Sequence, residues 1–279
     1  MRRESSQDNF FMLSTSGLTE LDSISRFSIR ADYYSKYRPG YPKDIVRVLR
    51  KETGFDATRV VADVGSGTGL LSRVFLENGN RVFCVEPNAR MRFHAEEDLR
   101  TFRNFVSVDG TAEHTTLPDQ SVDLVTVGQA LHWFDPVGAA REFSRISRPA
   151  SFLCIAYNEK RRGSEFMSAF REVTDRNESP GKNTPDVDSR YVSRFFADSG
   201  FSRVILKNEQ RLDYEGLLGR LLSASHMPAP GESQKIRKLK ADVRRLFDAY
   251  QSVGTVRLLY DTRLFVGRVS RSDPTTPKV

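Results

Sequence analysis

The apolar and polar positions of this chain alternate between the two-residue period of strands and the longer period of helices. An apolar run of strand type begins at Val60 and ends in Asp63, turns on Gly65, Gly67 and Gly69, and re-emerges as LLSRVFLENG with helical spacing. RVFCVEP follows as a second strand ending in Glu86. Further strands are predicted at NFVSV (104–108), SVDLVTVGQ (121–129), ASFLCIAY (150–157) and SRVILKNEQ (202–210), and the long TVRLLYDTRLFVGRV is the last. Helical stretches lie between them: DIVRVLRKETG opened by Pro42, NARMRFHAEEDL, VGAAREFSRIS and SQKIRKLKADVRRLFDAY. In the last of these Ile236, Leu239, Val243, Leu246, Phe247 and Tyr250 keep one face.

Alternating strands and helices predict an α/β fold, a doubly wound, mostly parallel, seven-stranded Rossmann-like sheet. Residues 159–200 and 211–253 interrupt the alternation and are expected to form a helical cap. The chain then divides into a flexible arm (1–25), an N-terminal lid and helix (26–58) and a core (59–158) that holds the ligand. Cap insertions around the strand 202–210 (159–253), a terminal strand completing the sheet (254–270) and a tail (271–279) follow.

Composition narrows the class. The net charge of +7 lies mostly outside the glycine-loop module. Cys84 and Cys154 fall in apolar strand-like runs, which predicts buried reduced thiols rather than a disulfide. Four scattered histidines and no CxxC give no metal spacing. No apolar stretch reaches membrane-spanning length and no signal-peptide core opens the chain, so a soluble cytoplasmic protein without a membrane partner is expected.

The glycine loop carries the first chemistry. Strand, glycine turn and helix form half of a βαβ unit, in which glycines let backbone approach a ligand that a Cβ would exclude. A carboxylate at the end of the second strand, Glu86, can bridge the two hydroxyls of a nucleoside ribose. A dinucleotide loop needs a small residue at its sixth position, and Leu70 stands there instead. That disfavours a nicotinamide dehydrogenase.

The alternating Gly65-x-Gly67-x-Gly69 resembles motif I of class I S-adenosylmethionine-dependent methyltransferases. Together with YYSKYRPGYP, VEP and DGTAEHTTLPDQSVDLVTVGQALHWFDP, the chain is similar to the small-molecule group typified by trans-aconitate and ubiquinone-type enzymes. The resemblance implies S-adenosyl-L-methionine as cofactor and assigns its contacts. Asp63, Gly65 and Gly67 would face the methionine portion, and Glu86 the ribose. Pro87 and Asn88 would lie against adenine, with Thr111 and Ala112 at its edge, and Gln129 near the methionine tail. Many relatives have an acidic side chain where Thr111 stands, and Pro-Gly-Gly where this chain has Arg148-Pro149-Ala150-Ser151.

For the methyl acceptor the same resemblance points to a small, anionic metabolite. His132 is the candidate base, Tyr37 and Tyr34 position the acceptor, and Arg38 clamps an anion beside Tyr157 and Asn158. Trp133 and Phe134 are expected to pin the helix that follows them; His94, His114 and His226 are read as structural or surface groups. Two rivals remain open. One is an RNA or protein methyltransferase using the basic helix at Lys235, Arg237, Lys238, Lys240, Arg244 and Arg245, though a solvated helix face is the preferred explanation of these charges because no aromatic stacking residues are interleaved there. The other is a cofactor-binding scaffold without turnover.

Overall fold

Seven strands build one sheet: β1 (Val60–Val64), β2 (Arg81–Val85), β3 (Phe105–Val108), β4 (Val122–Gly128), β5 (Ser147–Lys160), β6 (Phe196–Leu212) and β7 (Val256–Val269). Their order is β3-β2-β1-β4-β5-β7-β6. β7 runs antiparallel to both neighbours, and the other strands point one way. The computed structural model describes residues 31–178, 189–228 and 232–271. The expected arm at 1–25 and all but the first residue of the tail lie outside the described residues.

The helices are α1 (Ala31–Tyr37), α2 (Asp44–Thr53), α3 (Ser72–Glu77), α4 (Ala89–Leu99), α5 (Pro136–Ile146), α6 (Glu165–Asn177), α7 (Ser189–Ser193), α8 (Tyr214–Leu222) and α9 (Ser233–Tyr250). Alternate strand residues feed opposite faces, the signature of a doubly wound sheet. Val61, Val82, Cys84 and Leu124 pack with α2, α3 and α4 through Ile45, Leu49, Phe75 and Leu99. Ala62, Val64, Val85, Val125 and Val127 face α5 through Ala139, Phe143 and Ile146. Side-chain caps start the helices that flank the ligand crevice. Asn88 accepts from the Arg90 and Met91 amides, and Asp135 accepts from Gly138 with Pro136 in the first turn.

A third apolar cluster lies apart from these two. Met167, Phe170 and Val173 of α6 pack with Leu217 and Leu221 of α8, with Leu239, Val243 and Leu246 of α9, and with Val256, Leu258 and Tyr260 of β7. This is the cap, standing over the ends of β5 and β6. Both inserted segments contain helices that sequence periodicity did not single out, α6 in 159–200 and α8 in 211–253. β5 and β6 extend beyond their predicted limits at both ends.

The Arg148-Pro149-Ala150-Ser151 segment lies inside β5, and Ala150 there takes a left-handed φ of 64°. Cys84 and Cys154 are free and buried. No helix among the described residues is long and apolar enough to cross a membrane, and no cluster of metal-ligating side chains occurs among them. Much of the basic charge of α9 is internally answered: Lys235 pairs with Glu232, Arg244 with Asp248 and Arg245 with Asp242, and Arg244 also covers the Tyr214 ring.

Candidate cofactor and acceptor site

The glycine loop is built by the end of β1 and anchored on β2. The amides of Gly65 and Ser66 both donate to the Val85 carbonyl, at 2.9 and 3.1 Å. Gly65, Gly67 and Gly69 have φ of 68°, 56° and 78°, a region that L side chains enter only at a cost. At Gly65 a Cβ would meet the Ala130 Cβ at 2.7 Å and the Phe134 ring at 3.0 Å, whereas at Gly67 it would project into open space. Gly65 therefore lets the loop pack, and Gly67 keeps its cavity clear.

Glu86 follows β2 and is buried. One carboxylate oxygen accepts from the Gly67 amide and the other from Asn88, both at 2.9 Å. Each oxygen keeps a lone pair for a further donor. Burial raises the pKa of this carboxyl against those amides. A residue the sequence reading passed over holds the base of the site. Arg92 donates to the Glu86 carbonyl at 2.7 Å and forks onto both Asp109 oxygens, tying the end of β2 to the end of β3.

Two adjoining cavities open above the loop. The wider, of about 110 Å³, is lined by Glu86, Pro87, Asn88, Met91, Gly65 and Gly67 on one side, and by Tyr34, Gln129, Trp133 and Phe134 on the other. The narrower, of about 40 Å³, is bounded by Asp63, Gly65 to Thr68, Leu71, Gln129, Asn158, Tyr34, Arg38 and Tyr41.

Polar atoms around the narrower cavity lack partners. Asp63 accepts from Ser72 at 2.5 Å through one oxygen, while its other oxygen, the hydroxyls of Ser66 and Thr68 and the Nε of Arg38 are buried without a hydrogen bond. Such groups are rare unless a ligand or water completes them. Burial, opposed by the Ser72 bond, pushes the Asp63 carboxyl up to about 7. Burial and repulsion from Arg220 bring the Arg38 guanidinium down to about 10. An anion-seeking and a cation-seeking group thus share one small space beside the loop. The chemistry of that donor set matches the zwitterionic amino-acid end of S-adenosylmethionine, and the Glu86 carboxylate in the wider cavity matches the ribose hydroxyls.

The other predicted residues divide. Gln129 lies between the cavities with a left-handed φ of 57°, its amide on the Ala156 carbonyl and its side chain 3.3 Å from the Asn158 carbonyl. Thr111 and Ala112 line neither cavity. The Thr111 hydroxyl accepts from the His114 amide inside its own turn, and Ala112 is core. Glu113 of that turn accepts from the Asp135 amide at 2.8 Å, so the GTAE motif braces the start of α5.

Tyr37 also lies outside both cavities. Its ring stacks on Tyr33 and presses on Gly219 of α8, leaving no room there for a Cβ. The His132 ring packs between Trp133 and Tyr157, its Nδ1 buried without a partner, and burial lowers its pKa to about 4. Burial thus keeps the ring neutral near neutral pH. Trp133, expected to pin α5, is instead 41% exposed and lines the wider cavity, while Phe134 does pack on Phe143 of α5. Only exposure separates these two aromatics, and residue spacing does not report exposure.

The RPGYP segment is clamped across the front. The Gly40 carbonyl accepts from Asn158 at 3.2 Å and Asn208 at 2.8 Å, and Gln210 donates to the Tyr37 carbonyl. α1 is tied to α4 by Asp32, which meets Arg90 at 3.0 Å and His94 at 2.9 Å, and by Ser35 donating to Asp98.

Comparison with known proteins agrees with this geometry. Residues 62–155 match the family model of a methyltransferase domain. An uncharacterized methyltransferase of Mycobacterium tuberculosis is 34% identical over 57% of this chain and 63% of its own. A malonyl-[acyl-carrier protein] O-methyltransferase of Yersinia pestis is 32% identical over 46% of each chain. The chain thus spans less than two thirds of these relatives. A solved structure from Anaeromyxobacter dehalogenans, described as a type II methyltransferase, superposes with a TM-score of 0.63 at 25% identity, over 83% of this chain and 98% of that one.

Proposed function

Because the chain carries a class I S-adenosylmethionine-dependent methyltransferase domain, we propose that it transfers a methyl group to a small-molecule acceptor. One observation carries the reading: a cavity ending on the Glu86 carboxylate adjoins a narrower one whose Asp63, Ser66, Thr68 and Arg38 groups await partners. Glu86 would take the ribose hydroxyls. Asp63 would face the ammonium of the amino-acid tail and Arg38 its carboxylate. Trp133 and Met91 would cover the base.

S-adenosylmethionine supplies an electrophilic methyl with a neutral thioether as leaving group. An acceptor lone pair forms the new bond to carbon as the carbon–sulfur bond breaks, and its electron pair stays on sulfur. The protein then contributes alignment and exclusion of water. An ionised acceptor oxygen needs no base, and no histidine lines either cavity. The Yersinia relative is named for methylation at oxygen of a malonyl group, a precedent for an acceptor of this kind. Arg38, read from sequence as an acceptor clamp, fits the cofactor tail better, because it shares its cavity with Asp63 and the glycine loop.

Calorimetry with S-adenosylhomocysteine tests the cofactor assignment. Glu86→Ala should weaken binding by about 1.5–3 kcal/mol, the range for hydrogen bonds to a charged group. Unchanged affinity in the folded variant, or tighter binding of NAD than of S-adenosylhomocysteine, contradicts it.

A further inference from the structure

The cap brings together three cations that no carboxylate among the described residues meets at ion-pair distance. Arg220, on α8, is only 6% exposed; its Nε donates to the Tyr260 hydroxyl at 3.1 Å. Arg38 reaches the same helix end and donates to the Ser223 carbonyl at 3.0 Å. Lys160 ends β5 directly opposite Tyr260 in the antiparallel register, so the two side chains share a face. Its ammonium lies 5.0 Å from the centre of the Phe170 ring. Lys160 itself is exposed on the wall of a cavity. Burial and repulsion from Arg220 and Arg38 lower its pKa to about 8, against weaker opposing effects of Glu178 and Asp175.

Like charges gathered in a partly dry place are costly unless an anion joins them. The cavity that Lys160 lines, of about 420 Å³, lies between β5 and α6, and its walls carry Arg161, Arg162 and Arg171 against Glu159, Asp175 and Glu178. The same strand connects this space to the cofactor cleft. Asn158 borders the cleft and Lys160 the cap cavity, two residues or roughly 7 Å further on.

We propose that Arg220 and Lys160 form a carboxylate-binding site through which the cap holds an anionic methyl acceptor next to the cofactor, whose own carboxylate Arg38 would take. This rests on the methyltransferase reading for its purpose, though not for its detection. The cofactor's own carboxylate is the competing source of the same charge, and it would engage Arg38 alone or fill the whole cluster.

The test is calorimetry on the full chain at constant ionic strength, with benzoate, succinate, glutarate and adipate, each against its neutral amide. Titrations are run with and without saturating S-adenosylhomocysteine. The expected result is that at least one carboxylate binds, that its amide does not, and that binding persists when S-adenosylhomocysteine is present. Lys160→Met and Arg220→Met should each weaken it at least tenfold. Lys160→Met, at an open cavity wall, keeps the test available should Arg220→Met fail to fold. The proposal is overturned if no carboxylate is distinguished from its amide, if binding vanishes once S-adenosylhomocysteine is bound, or if Lys160→Met binds as the wild type does. A protein that binds the carboxylate but not S-adenosylhomocysteine keeps the anion site and loses the methyltransferase reading.

Discussion

Asp63 is the residue whose chemistry is most open to measurement. Its folded pKa of about 7 lies above the usual carboxylate value because burial penalises the charge. The folded protein therefore holds an extra proton between about pH 4 and pH 7, and this group's contribution to stability falls as pH rises through that window. A ligand ammonium reverses the preference by favouring the carboxylate. S-adenosylhomocysteine affinity should thus rise roughly tenfold from pH 6 to pH 8, the change in ionised fraction for a pKa near 7. Asp63→Asn should remove that rise. A flat profile in the wild type contradicts the assignment. At the opposite end of the sheet, Ala150 holds a left-handed φ of 64°. Ala150→Gly should stabilise by about 0.5–1 kcal/mol, where alanine-to-glycine changes ordinarily destabilise; a lower denaturation midpoint would count against strain there.

At the scale of elements, α1 is the mobile candidate. It is held to α4 by exposed pairs from Asp32 and Ser35, and Tyr34 beside them lines both cavities. Surface pairs of this kind contribute little to global stability, about 0–1 kcal/mol. Asp32→Asn should therefore speed amide exchange across residues 32–37 with little change in global unfolding, and S-adenosylhomocysteine should slow that exchange in both proteins. Equal rates with and without ligand argue that α1 does not cover the cofactor. The elements differ in how plainly the sequence announced them. β1, the glycine loop and β2 were readable because both faces of those strands are buried, so the apolar runs are nearly continuous and Asp63 and Glu86 stand out. α6 and α8 were not. Gly163 and the Ser-Pro-Gly stretch after Asn177 frame α6 with turn signals, and its apolar face meets the cap rather than the sheet. Arg220 stayed hidden for a related reason: on sequence it is one cation in an apolar helix, and only the packing of α8 on Tyr260 shows that it is buried.

Over the whole molecule, two sheet-facing cores carry the glycine loop and a third core carries the cap, with the proposed transfer site at their meeting line. The positive net charge does not by itself imply nucleic acid, because three of the basic side chains of α9 are paired within the helix or at its start. Binding to tRNA should accordingly be weak at physiological salt and should not improve with S-adenosylhomocysteine. The most direct measurement is to incubate the full chain with methyl-labelled S-adenosylmethionine and a fractionated cell extract, and to follow where the label goes. Label is expected in a small-molecule fraction retained on anion exchange before methylation, with transfer reduced by Lys160→Met. Label in RNA or protein, or cofactor binding with no transfer to any fraction, would contradict it.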